Sequence, residues 1–312
     1  LAHTDEPEVD TLELYNPGSA AVDLQGWCIS DDKDDLRKYC IPGPTGSGAP
    51  PAIEPGGYFL VTAPELGFAF SEFGEEVFLS APDGIGGMQR IDTAEFGASP
   101  NGFSLGRHVS STGAVEHPLQ SQKTLGAPNT GPLIPAVVIS GIAYDPAQGP
   151  EYLVLTNSSG AAVELFDPLF PANPWQVSGI GDNGDEYPLP PQTTLLAGES
   201  IVITADPADF AATYPALALR VFGPFEGKLN NDGERIELLA PQPPETDGKV
   251  AYIVLDAVEY ETAAPWPPAG ASGQALVRKD LLKFGNDPAN WDAAAVGVGG
   301  GSAKVLLPLV RR

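Results

Sequence analysis

Three short segments concentrate oxygen ligands. Asp31, Asp32, Asp34 and Asp35 crowd the first, Asp182, Asn183, Asp185 and Glu186 the second, and Asn230, Asn231, Asp232 and Glu234 the third. Calcium takes roughly six to eight oxygen ligands from flexible loops, so each segment is a candidate calcium site. None has the EF-hand spacing of Asp or Asn, Gly and a closing Glu. Asp and Asn are also ordinary turn residues, and the same runs read equally as solvated loop tips. Paired carboxylates also serve glycoside hydrolysis. A chain with 41 Asp and Glu residues supplies such pairs anywhere, so they single out no site.

Two motifs match nucleophile and nucleotide signatures on paper. Gly102-Phe103-Ser104-Leu105-Gly106 fits the G-x-S-x-G elbow, with His108 and His117 nearby as bases. The elbow needs a strand, a sharp turn and then a helix. The residues after Gly106 form turns and strands instead, so no catalytic residue is nominated. Gly179-Ile180-Gly181-Asp182-Asn183-Gly184 fits G-x-G-x-x-G but lacks the strand-to-helix setting, and its acids would repel a pyrophosphate. Trp175 and Trp266 are candidate stacking platforms for a glycan, and Trp291 a third; each also reads as core. Asn157-Ser158-Ser159 fits the glycosylation sequon.

The only two cysteines, Cys28 and Cys40, flank the first acidic run. Trp27–Ser30 and Lys38–Ile41 read as strands of a hairpin centred on Asp34, which sets Cys28 opposite Cys40. Opposed strand residues come within disulfide reach. A disulfide implies an oxidising compartment, and two buried free thiols are the alternative.

These groups sit in a strongly acidic chain, with 16 Lys and Arg and a formal charge of −25. Binding DNA or RNA needs Lys and Arg to release counterions, so nucleic acid is excluded as a direct partner. The same holds for anionic membrane surfaces. No apolar run approaches the roughly 20 residues of a membrane helix. With 36 Gly and 33 Pro, a helical bundle is disfavoured. The chain opens at Leu1-Ala2-His3-Thr4, which reads as a processed or truncated start.

The elements that position these residues occur twice. Leu14-Tyr15-Asn16 through Asp23-Leu24 recurs as Leu155-Thr156-Asn157 through Glu164-Leu165. Pro55–Ala63 recurs as Ala197–Ala205, Gly74–Pro82 as Gly233–Pro241, and Ile91–Phe96 as Leu255–Tyr260. Four blocks in one order indicate a duplication. Each block is short, rich in β-branched and aromatic residues, and bounded by Gly, Pro, Asn or Asp, which predicts strands. One helix is expected after Asp206, which suits an N-cap before Pro207. The boundaries read as a first sandwich over 1–126, a Pro/Gly linker over 127–136, a second sandwich over 137–297 and a Gly-rich tail over 298–312.

Both halves resemble the lamin tail domain, an immunoglobulin-like β-sandwich. The carrying residues are Leu12-Glu13-Leu14-Tyr15-Asn16-Pro17, Ala21–Trp27, Ile53–Tyr58 and Asn101–Arg107, then Val138-Ile139-Ser140, Glu151–Leu155 and Gly285–Trp291. The resemblance covers nearly the whole chain and implies an all-β fold of two immunoglobulin-like sandwiches in tandem. It is similar to bacterial secreted proteins that carry such domains. It implies a non-catalytic extracellular binding or structural module, with other proteins or a second copy at the cell surface as partners. Alternatives are an accessory region of a larger secreted hydrolase and a calcium- or glycan-binding adhesion module. Gly141 and Val154 depart from the family's Glu positions. The first copy lacks the opening strand: either the chain is a truncated fragment, or another segment fills the place, for which the tail Lys304–Val310 is a candidate within the chain or by strand exchange with a neighbour.

Overall fold

The computed structural model describes residues 1–44, 48–181, 186–217 and 219–294. It is broadly all-β, with 37% strand and 6% helix. Among the described residues, no helix is long and apolar enough to cross a membrane. The chain divides into two compact units. The first comprises 1–108 and 115–133, the second 109–114 and 134–312.

In the first unit the strands are β1 (Thr11–Tyr15), β2 (Val22–Asp23), β3 (Cys28–Ser30), β4 (Tyr39–Cys40), β5 (Ala52–Ile53) and β6 (Tyr58–Thr62). A short helix α1 (Ala63–Leu66) follows, then β7 (Gly74–Pro82), β8 (Met88–Gly97), β9 (His108–Val109), whose second residue is counted with the second unit, and β10 (Val115–Glu116). β1 pairs with β6 and β2 with β5, and a four-stranded sheet runs β4-β3-β7-β8. The unit extends through Leu133, past the Pro/Gly boundary expected at 126. Gln120 bridges Pro132, and the Leu133 N–H donates to Leu119.

In the second unit the strands are β11 (Val137–Ala143), β12 (Tyr152–Asn157), β13 (Val163–Glu164), β14 (Gln176–Ser178), β15 (Tyr187–Pro188), β16 (Thr194–Leu195) and β17 (Ser200–Thr204). Helix α2 (Pro207–Thr213) precedes β18 (Arg220–Phe222), β19 (Gly233–Pro241), β20 (Tyr252–Glu261), β21 (Ala275–Arg278) and β22 (Trp291–Ala294). β12 pairs with β17 as β1 pairs with β6. β13 pairs with β16 as β2 with β5, and β15-β14-β19-β20 repeats the four-stranded order. Here β11, β18, β21 and β22 extend the β12–β17 pair into a six-stranded sheet, β18-β17-β12-β11-β21-β22.

Local chemistry explains the repeated frame. Asn16 ends β1, and its side-chain amide donates to the carbonyls of Ala20 and Ile53, both at 2.8 Å. Asn157 does the same at the end of β12, donating to Ala161 and Leu195. Each stitches its turn to a strand of the neighbouring pair. Gly56 and Gly198 hold matching positive φ angles of 71° and 73°, a backbone state in which a side chain is strained. In both, the N–H returns to that asparagine's carbonyl. α2 is capped by Asp206, whose carboxylate accepts from the Ala208 and Asp209 N–H groups. α1 was not anticipated; there Glu65 reaches back to the Thr62 N–H.

The two cores differ. In the second unit one large apolar cluster joins Val137, Ile139, Leu153 and Ile201 of the six-stranded sheet to Val177, Ile236, Leu238 and Val258 of the four-stranded sheet. The first unit has two smaller clusters, around Ile29, Val61 and Val77 and around Leu24, Ile41 and Ile53. The disulfide lies in the unit with the smaller core, where a covalent cross-link has most to add.

Candidate functional site

Cys28 and Cys40 stand directly opposite each other on β3 and β4 and form a disulfide. The acidic run between them is wired as a turn. Asp31 pairs with Lys38, and Asp34 pairs with Lys33 at 2.8 Å. Asp32 accepts the Asp34 N–H, and Asp35 accepts the Arg37 N–H. These carboxylates therefore cap local N–H groups and meet lysines rather than converge. In the second run, Asp182, Asn183 and Asp185 lie outside the described residues, and Glu186 is exposed. In the third, the Asn230 N–H donates to Glu234 and the Asp232 N–H to Asn230. Burial pushes the Glu234 carboxyl above its usual range. Among the described residues, no three His, Cys, Asp or Glu side chains gather as a metal site.

The aromatic platforms divide. Trp175 is half-buried against the large core. Trp266 is 6% exposed and lies 6.2 Å from Trp291, ring centre to ring centre. Trp266 therefore offers no open ring face, against its expected role as a platform. The proline-rich segment around it folds inward because the indole fills the core beside Trp291. Trp291 is itself buried and donates its indole N–H to Gly285. Asn157 of the sequon is fully buried with its amide committed, so in the folded chain it is closed to modification. Ser104 leads into β9 rather than into a helix, the wrong setting for an elbow.

A feature the residue types alone did not single out is a pair of charges inside the second unit. Arg278 on β21 meets Asp256 on β20 at 2.6 Å, with side chains 0% and 4% exposed. The pair grips the backbone of β11. The Ile139 N–H donates to Asp256 at 2.8 Å, and Arg278 donates to the Ile139 carbonyl at 3.1 Å. Arg278 also donates to the Lys283 carbonyl. Burial pushes the Asp256 carboxyl upward, while Arg278 and the Ile139 N–H pull it back. Ile139 stands where the β11–β12 register breaks, so its backbone is released from the regular ladder.

The first unit keeps the same two residue types at the same two places. Asp92 faces Leu79 beside a register break, as Asp256 faces Leu238 beside another. Arg107 follows Gly102–Gly106 as Arg278 follows Gly273–Val277. Here, however, Asp92 and Arg107 are exposed. His117 lies near both; burial lowers its ring pKa, Asp92 pulls it up and Arg107 pulls it down. The signal available in sequence was the Asp92/Asp256 match within the repeat, but it does not say what the carboxylate holds.

The chain matches no protein-family model, and no curated protein matches it significantly in sequence.

Proposed function

We propose that the chain is a non-catalytic extracellular binding or structural module of the bacterial secreted type. In this reading its units are two lamin-tail-like, immunoglobulin-like β-sandwiches in tandem. They engage other proteins, or a second copy, at a cell surface.

The observation that carries this reading is the frame shared by the two units. The same strand pairings recur in each, and the residues held in common are structural. Asn16 and Asn157 stitch turns, Gly56 and Gly198 close them, and Leu14 and Leu155 face apolar clusters. A duplicated scaffold of this kind suits presentation of surface. The disulfide supports an oxidising compartment. The strong negative charge supports solubility and disfavours nucleic acid.

Alkylation of thiols during gentle fractionation of the source, followed by cross-linking and mass spectrometry, tests it. The expected result is an oxidised Cys28–Cys40 pair in the extracellular fraction, cross-linked to a protein. Reduced thiols in an intracellular fraction overturn the reading.

A further inference from the structure

The second unit carries a loop that the shared frame does not require. In the first unit Trp27 follows Leu24 after two residues, and its N–H donates to the Leu24 carbonyl at 3.0 Å. In the second unit Trp175 makes the same bond to Leu165 at 2.9 Å, but nine residues, 166–174, stand between them. The next contact is also kept: the Ile41 N–H donates to Trp27 as the Leu189 N–H donates to Trp175. The frame closes with or without the inserted residues.

The insertion is an ordered, uncharged projection. Phe166 bridges Pro174 at its base, and the Asp167 N–H donates to the Asn173 carbonyl. The tip, Pro168-Leu169-Phe170-Pro171-Ala172, is exposed throughout, with Leu169 at 80% and Phe170 at 42%. Pro168 and Pro171 have no N–H to satisfy. The Leu169 N–H donates to the Asp167 carboxylate at 2.8 Å, and the Phe170 N–H to the Asp167 carbonyl at 3.1 Å. The Phe170 carbonyl accepts the Asn173 N–H. Such a tip enters an apolar site without stranding these donors, and little of its freedom is left to lose on binding.

We propose that this tip is a docking element, and that its partner is a protein with an apolar pocket rimmed by Lys or Arg. The inference rests on reading the chain as a binding module and names the partner's chemistry. The pocket follows from Leu169 and Phe170, two adjacent apolar side chains presented on an ordered turn as an anchor. The basic rim follows from charge. No Lys or Arg lies between Lys123 and Arg220, a stretch that holds ten Asp and Glu residues. Glu164 is exposed just before the loop. Asp167, which holds the tip, keeps Oδ2 buried without a hydrogen-bond partner among the described residues. A second copy of this chain brings the same charge of −25 to the contact, and an anionic lipid surface is repelled as well. The tail Lys304–Val310, expected to exchange as a strand, lies outside the described residues. Five tip residues fall short of the roughly 20–30 per side of a standard interface, so the tip is the anchor of a larger contact.

Photocross-linking from the full chain in its source tests this. One sample carries p-benzoyl-phenylalanine in place of Phe170. The other carries it in place of Phe103, a phenylalanine of the first unit with a similar exposure of 41%. The protein joined at position 170 is identified by mass spectrometry, purified, and titrated by calorimetry with the intact chain and with Leu169→Ser. Phosphatidylcholine vesicles are the lipid arm. The expected result is a protein joined at 170 and not at 103. Its affinity falls by more than about tenfold in Leu169→Ser, as for loss of a pocket anchor, and falls as salt rises. The melting temperature of Leu169→Ser stays that of the intact chain, because the side chain is exposed. Absence of a cross-link at 170 overturns the proposal, as does equal affinity for the variant or affinity that does not fall with salt. So does a cross-link at 170 that joins two copies of this chain, or tip-dependent binding to the vesicles. A protein joined at 103 alone leaves the module reading intact while removing this one.

Discussion

Replacing Asp256 by Ala removes one carboxylate that does two things: it neutralises Arg278 and accepts the Ile139 N–H. The guanidinium is left at 0% side-chain exposure, with the carbonyls of Ile139 and Lys283 as its remaining acceptors. Breaking a buried pair by removing one partner costs about 3–5 kcal/mol, because the other charge stays buried and unpaired. For a unit of this size about 1 kcal/mol moves the melting temperature by about 2–4 °C, so a fall of roughly 10 °C is expected. Differential scanning calorimetry measures it, and hydrogen exchange localises it to the β11 amides. The matched variant in the first unit, Asp92→Ala, is expected to stay within about 0.5 kcal/mol, as for an exposed side chain. Converting the pair together, Asp256→Leu with Arg278→Met, is expected to recover only part of the loss, since the buried charge is gone but the Ile139 N–H and carbonyl lose their partners. A fall of less than about 2 °C for Asp256→Ala, or an equal fall for Asp92→Ala, refutes the assignment of the pair as the clamp on β11.

Removing the cross-link by Cys28→Ser with Cys40→Ser is expected to cost about 3 kcal/mol, given a loop of 12 residues' separation; calorimetry of the first unit measures it. Leu153→Ala is expected to cost about 2–5 kcal/mol, and Leu12→Ala at the same place in the repeat clearly less, since only the former is fully buried; urea titrations of both compare them. His117, with its ring pKa lowered by burial, gives a pH signature. As pH falls through the ordinary histidine value the unfolded chain takes the proton first, so stability drops, and the drop ends below the folded-state pKa. Melting curves between neutral and mildly acid pH are expected to show this loss in the native chain and not in His117→Gln.

Much of the frame was legible because it depends on short-range rules. The Leu-x-Asn blocks ending at Asn16 and Asn157 announced strand and turn, and a hairpin symmetric about Asp34 was enough to set Cys28 against Cys40. Asp206 before Pro207 announced α2 for the same local reason. The clamp on β11 was not legible. Asp256 and Arg278 are 22 residues apart, on strands of different sheets, and both bind the backbone of β11 at Ile139. One carboxylate among 41 looks like any other until its neighbours are known. Trp266 misled for a related reason: a tryptophan among prolines reads as exposed, and its burial depends on Trp291, far along the chain. The acidic clusters invited a metal reading because composition does not reveal direction. Asp31 and Asp34 turn to Lys38 and Lys33 rather than to one another.

Among the described residues, β11 and its charged clamp set the second unit apart from the first. With β11 present, Asp256 and Arg278 are desolvated, and they are tolerable only because Ile139 offers them an N–H and a carbonyl. In the first unit Asp92 and Arg107 are exposed, Leu12 and Leu14 are half-buried, and the apolar residues fall into two small clusters. Less buried apolar surface means less stabilisation, and the Cys28–Cys40 link falls in the unit that has less of it. In the second unit the place opposite that link is held by Gln176 and Pro188, paired without any covalent bond. The same two residue types are thus a buried structural clamp in the second unit and exposed side chains in the first.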